Sequence, residues 1–239
     1  MTQQSSSNRS IQIGGNVSGA MMVSGDNNTV TNQSSTVLDS SPTEDPEKCK
    51  LLLLAANPGD SARQRLDEEV RDISEGLQRS RERDRFEITQ RWAVRPRDFQ
   101  RAMLEELPQI VHFSGRGQEG DKESAGLYFE DESGQAQAVS SAALTGLFRL
   151  FAQKARIECV MLNGCYSQTQ AVAIATQVPF VVGLTSRVSE RAAIEFAVGF
   201  YDALGSGESI EFAFESGKVT MDLCGASYED VPPLLQQAR

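Results

Sequence analysis

The stretch Pro108–Gly120, "PQIVHFSGRGQEG", decides the fold. Ile110, Val111 and Phe113 make a short apolar run, and Ser114, Gly115 and Gly117 loosen the chain beyond it. The pattern predicts a buried strand that runs out into a glycine-flanked loop. In an α/β sheet the site lies beyond the carboxyl ends of the strands. The side chain displayed at this end is Arg116, where a histidine would make chemical sense.

Working outward, three more apolar runs have the same length and punctuation. They are "CKLLLLAANPGD" (49–60), "IECVMLNGCYS" (157–167) and "PFVVGLTS" (179–186). Between them lie segments with helical spacing. In "RLDEEVRDISEGLQRSRER" (65–83), Leu66, Val70, Ile73 and Leu77 recur every three or four residues. "RPRDFQRAMLEEL" (95–107), "SAALTGLFRLFAQKA" (141–155), "QTQAVAIATQV" (168–178), "ERAAIEFAVGFYDALGSG" (190–207) and a segment near 208–222 read the same way. "FEITQRWAV" (86–94) alternates like a strand, and "AGLYFEDESGQAQAVS" (125–140) reads as a hairpin around "ESGQ". Short buried strands alternating with amphipathic helices predict an α/β fold, a mostly parallel sheet covered by helices on both faces.

Composition sets outer limits. The chain has 239 residues and a formal net charge of −10, which argues against a broad nucleic-acid or anionic-membrane footprint. No stretch is long and apolar enough to span a bilayer, and "MTQQSSSNRS" lacks the apolar core of a secretory signal. Cys49, Cys159, Cys165 and Cys224 show no paired spacing, so reduced thiols in a cytoplasmic protein are expected, without metal or cofactor. The arginines of 63–101 are interleaved with Asp67, Glu68, Glu69, Asp72, Glu75, Glu82 and Glu87, which reads as a salt-bridged, solvated face.

Cys165 comes after the strand "CVMLNG" and precedes the helix through "YSQTQ". A thiol there is placed for ionisation by the helix dipole, and position alone is equally compatible with a small buried hydrophobe. Cys159 falls inside the strand; Cys49 and Cys224 have no catalytic context.

The pair "IVHFSGRG" and "VMLNGCYS", about fifty residues apart, resembles the CHAT domain of the caspase-like clan of cysteine peptidases. The usual family motifs read His-Phe-Ser-Gly-His-Gly and Leu-Asn-Ala-Cys. The resemblance runs from about Cys49 to Gly225 and includes "LLLLAANPGD", "QRWAVRPRDFQRAM" and "GLYFEDESGQAQ". It implies a caspase-like αβα sandwich over residues 48–228, with 229–239 as a C-terminal tail. It also implies that Cys165 is the nucleophile, that Gly117 and Gly164 flank an oxyanion hole of backbone amides, and that the general base falls on Arg116.

A guanidinium has five donors, no acceptor, and stays protonated near neutrality, so it takes no proton from a thiol. Nor can it hand one to the leaving amine. General acid–base assistance is worth roughly a hundred- to ten-thousand-fold in rate, and impaired catalysis is expected. The chain's one histidine, His112, lies four residues back along the strand. That is roughly 13 Å at strand rise, matching the family's first histidine, which is not the base. Glu190 and Glu195 stand where caspase-like folds build the pocket for the residue before the cut, where they would favour a basic side chain; a solvated helix start, with Glu190 near the N-terminus, is the simpler account of both.

The first 46 residues are rich in Ser, Asn, Gln, Gly and Thr. Residues 34–47 read as a flexible acidic linker. Within 1–33, the core 10–32 carries an echo: "IQIGGNVSGA" and "MMVSGDNNTV". Ile11, Ile13, Val17, Val23 and Val30 alternate with glycine turns, and Asn16, Asn27 and Asn28 suit side-chain ladders in stacked copies. The segment resembles the short amyloid-signalling motifs of bacterial and fungal immune receptors. That resemblance implies self-association, an upstream receptor with a matching motif, and a role in defence or regulated cell death with a protein substrate or partner.

Overall fold

Leu51–Leu54, Ile110–Phe113, Cys159–Leu162 and Val181–Val182 are the innermost segments of the molecule, each almost without solvent exposure. In the computed structural model they belong to four parallel strands. The structure describes residues 48–59, 65–118, 126–164, 167–184, 188–225 and 234–236. All fall in the compact unit Glu44–Arg239. The N-terminal residues expected to self-assemble, among them Ile11, Asn16 and Asn27, lie outside the described residues, and so does Cys165.

The elements run β1 (Cys49–Ala55), α1 (Leu66–Arg79), β2 (Phe86–Trp92), α2 (Pro96–Glu106), β3 (Ile110–Ser114), β4 (Gly117–Gln118), β5 (Gly126–Glu130) and β6 (Ala136–Ser140). Then come α3 (Ser141–Ala152), β7 (Cys159–Asn163), α4 (Gln168–Ile174), β8 (Phe180–Gly183), α5 (Glu190–Gly205), α6 (Ile210–Leu223) and β9 (Leu235–Gln236). The main sheet has the order β2-β1-β3-β7-β8-β9, and all its pairs are parallel except β8 with β9. The expected α/β architecture with a mostly parallel central sheet is present.

Because strand residues alternate faces, one apolar run feeds two cores. Leu51, Leu53, Ile110 and Met161 join α1, α5 and α6 on one face. Leu52, Leu54, Val111, Phe113 and Leu162 join α2, α3 and α4 on the other. His112 lies two residues after Ile110, and Ser114 two after that, so both point to the α1 and α5 side.

Several helix starts are written in the sequence. Ser140, Ser189 and Ser209 each accept a bond from the amide three residues on, at 3.2 Å, closing α3, α5 and α6 at their N-termini. Pro96 opens α2, where its missing N–H costs nothing.

Between β3 and β7 the chain makes an antiparallel excursion, β4-β5-β6. Its relevance to the site is one hydrogen bond: Tyr128 N donates to Arg116 O at 2.8 Å. The hairpin thereby pins the backbone of the loop that carries Arg116. Within the expected C-terminal tail, Leu235 and Gln236 pair with Val181 and Phe180 as an edge strand.

Candidate active site

The site is set by the register of β3 on β7. Ser114 is paired with Asn163, so the chain leaves the two strands side by side, Gly115 and Arg116 on one and Gly164 on the other. The tips are very close. A Cβ on Gly164 would sit 2.2 Å from the carbonyl oxygen of Gly115, so only glycine fits this spacing. The family's usual alanine is replaced here by a residue that lets the backbones meet. Cys165 comes next in sequence.

Beyond the nucleophile position, Ser167 anchors the chain. Its hydroxyl donates to Leu162 O at 2.8 Å and accepts from Leu184 N at 2.8 Å, tying the ends of β7 and β8 together. Helix α4 begins only at Gln168, three residues past Cys165, and has seven residues.

A cavity of about 230 Å³ opens at these tips. Arg116, Asn163 and Gly164 form its floor; Glu69 and Leu66 come from α1, and Glu190 and Ala193 from α5. Glu190, at the start of α5, accepts from the backbone N–H of Arg65 at 2.5 Å. Glu195 is not part of this lining; it pairs with Arg191 at 3.6 Å on the next turn. Gly117 is buried and opens β4 opposite Leu127, one residue beyond the cavity wall.

Beneath the cavity lies a buried polar cluster that sequence reasoning missed. Glu69 is 2% exposed and His112 fully enclosed. His112 Nε2 lies 2.9 Å from Glu69 Oε1 and 2.8 Å from Ser114 Oγ, and Nδ1 lies 3.1 Å from the Tyr201 hydroxyl. The carboxylate selects Nε2–H as donor, which leaves Nδ1 to accept from the Tyr201 O–H. Burial pushes the Tyr201 phenol well above its usual range, so that proton stays in place. The Asn163 side-chain amide donates to the same Glu69 oxygen and, at 3.1 Å, to Ala193 O.

This corrects the placement of Glu69 on a solvated face. Glu69 sits three residues after Leu66 and four before Ile73, inside the apolar stripe of α1, and that spacing was the available signal. Asp67 and Glu68 do face outward, with Glu68 pairing Arg65 at 3.0 Å. Two further arginines of this stretch behave alike: Arg85 meets Glu82 at 2.9 Å and Arg95 meets Asp98 at 2.6 Å.

His112 is thus shut in the core with both nitrogens engaged, and it lines no part of the cavity. Among the other cysteines, Cys159 is enclosed and its pKa is pushed far up by burial. Cys49 is raised to about 11, chiefly by burial. Neither is a thiolate near neutrality.

A family model described as the CHAT domain matches residues 16–223. A "probable protease" of Gillisia limnaea is 24% identical over 183 residues, covering 76% of this chain and 32% of that protein. A "Roc-COR-CHAT protease" from an unknown prokaryotic organism is 27% identical over 172 residues, covering 70% of this chain and 16% of that protein. The chain therefore spans a third or less of the length of these relatives. Among solved structures, a secreted C11 cysteine protease from Bacteroides thetaiotaomicron in complex with an irreversible peptide inhibitor aligns with a TM-score of 0.46 at 12% identity. That alignment covers 71% of this chain and 57% of that one.

Proposed function

The chain belongs to the CHAT domain family, and from that membership we propose that it is a cysteine-peptidase-type effector whose catalysis is impaired at the general-base position. The observation that carries this reading is Arg116, held at the tip of β3 against Gly164, the residue before Cys165. Where a peptidase needs a group that first takes and then returns a proton, this chain offers a permanent donor. A cation does favour a thiolate, so Cys165 remains reactive toward alkylating agents while peptide turnover is slow. The protease names of the two relatives support the peptidase lineage.

The same proposal gives the chain a protein substrate or partner. It assigns assembly to the N-terminal segment 10–32, triggered by an upstream receptor with a matching motif. Its biological setting is bacterial defence or regulated cell death, resting on the resemblance of that segment. The test compares the chain with Arg116→His on a proteome-derived peptide library. Cleavage gained by Arg116→His and abolished by adding Cys165→Ala is the expected result; efficient turnover by the unaltered chain overturns the proposal.

A second reading, a non-catalytic scaffold, is favoured by one observation. The single histidine is locked between Glu69, Ser114 and Tyr201, with no proton-accepting role left for it at the cavity. Under that reading Arg116→His restores nothing.

A further inference from the structure

Among the described residues, seven large hydrophobic side chains are exposed, and three of them stand on α6: Phe212 at 57%, Val219 at 55% and Leu223 at 82%. They are seven and four residues apart. At about 100° per residue, all three fall within about 20° of a single line along the helix, about 16 Å long. The inner face is already used: Ala213, Phe214, Gly217 and Met221 are buried, and Gly217 meets Phe196 of α5. Helix α6 is thus apolar on two faces, and described residues cover only one. An exposed apolar row of this length is a contact surface without its partner.

The two borders of the row differ. By the same geometry, Glu211, Glu215 and Asp222 lie along one edge, about 60 to 100° from the line, and Ser216 and Thr220 along the other. Lys218 stands behind the acidic edge and holds Glu215 at 2.8 Å, so that carboxylate is already matched. Glu211 and Asp222 are exposed and pair with no cation among the described residues. Arg191 of α5, near Cys224 at the end of the row, is engaged with Glu195 at 3.6 Å. The chain's own remaining segments do not supply the missing cations. Residues 226–233 hold Glu229 and Asp230 and no Lys or Arg, and no other segment outside the described residues carries more than one Lys or Arg. Residues 1–47 set Arg9 against Asp26, Asp39, Glu44, Asp45 and Glu47. A second copy laid antiparallel on this face would put acidic edge beside acidic edge, and a parallel one would offer it only hydroxyls.

We propose that the outer face of α6 is a docking surface for a basic amphipathic helix of a protein partner. The partner's apolar stripe covers Phe212, Val219 and Leu223, and Lys or Arg along one border of that stripe meets Glu211 and Asp222. Burial of the apolar row supplies affinity, while the acidic edge sets orientation and rejects acidic helices. No residue of α6 lines the strand-tip cavity, so this inference stands apart from the reading of that site.

The test uses the full ¹⁵N-labelled chain and three Ala-rich helical peptides of equal length. The first repeats the spacing of the α6 outer face, with Leu at the places of Phe212, Val219 and Leu223 and Lys at the places of Glu211, Glu215 and Asp222. The second carries Glu in place of Lys. The third scrambles the order of the first, keeping its charge without its stripe. The expected result is saturable binding of the first peptide, about tenfold tighter than either control, with amide shifts centred on α6. Val219→Ser combined with Leu223→Ser, both at exposed positions, should weaken it about tenfold while the rest of the spectrum stays dispersed and unchanged. Glu211→Gln combined with Asp222→Asn should remove most of the preference for Lys over Glu and flatten the salt dependence. No binding of the first peptide, equal binding of the scrambled one, shifts away from α6, or a preference that survives both pairs of substitutions overturns the proposal. Self-association of the chain alone, abolished in sedimentation by Val219→Ser with Leu223→Ser, would assign the face to a second copy and overturn it as well.

Discussion

Glu69 shows how much can turn on one residue in a run of like charges. Asp67, Glu68 and Glu69 are consecutive acids, yet only the third falls within the buried stripe of α1, where it is 2% exposed. It accepts from His112 on β3 and Asn163 on β7, so one carboxylate oxygen holds two strands and a helix in register at the site. Removing it takes the acceptor from one Asn163 N–H, leaves His112 Nε2–H with Ser114 Oγ alone, and opens a void. Glu69→Ala should therefore destabilise the fold by about 3 kcal/mol, and Glu69→Gln, which keeps the shape, by about half as much. Guanidinium titration with an unchanged m-value checks this. At this scale the sequence was informative but incomplete. It placed Arg116 and Gly164 just past the ends of two neighbouring strands and His112 back within the first, which is where they lie. It assigned Glu69 to solvent because a charge pattern was weighed above helical phase, and Tyr201 carried no sign of its hydroxyl's partner 89 positions away.

Elements were more legible than contacts between them. Every strand with four or more apolar residues was readable from its run and its closing turn, and the hairpin β5-β6 from "ESGQ". Leu235–Gln236 was not, since two residues carry no periodicity. The packing of α5 on α6 was equally silent, although it rests on glycines visible in the sequence. A Cβ on Gly199 would lie 2.2 Å from Thr220 Oγ1, and one on Gly217 2.8 Å from the Phe196 carbonyl oxygen, so the two helices cross nearly backbone to backbone. Thr220 is additionally held by its bond to Ser216 O at 3.0 Å. Gly199→Ala should cost about 1–3 kcal/mol by overpacking. Because Thr220 Cβ would itself lie 2.6 Å from the new methyl, Thr220→Ala should leave most of the loss in place, whereas Thr220→Gly should remove the clash. A thermal double-mutant cycle reads that coupling directly.

For the molecule as a whole, the described residues build a cavity and a sheet, while the proposed trigger resides in residues 10–32. Alternating apolar positions with Asn16, Asn27 and Asn28 predict that this segment stacks in register when many copies meet. Fibre diffraction from peptide 10–32 should then show reflections near 4.7 Å and 10 Å; a peptide that stays monomeric when seeded contradicts the assembly proposal.

The rim of the main sheet bears on what crowding would do to this domain. Its outermost strand on one flank, β2, sets Glu87, Gln90 and the half-exposed Trp92 toward solvent, with Arg91 clasped by Glu105 and Glu106 at 3.3 and 3.0 Å. The opposite flank ends in the two-residue β9, too short to template another chain. Charged or stunted margins discourage sheets from zipping together. Copies of this domain brought to high local density would therefore have little tendency to join edge to edge through the main sheet.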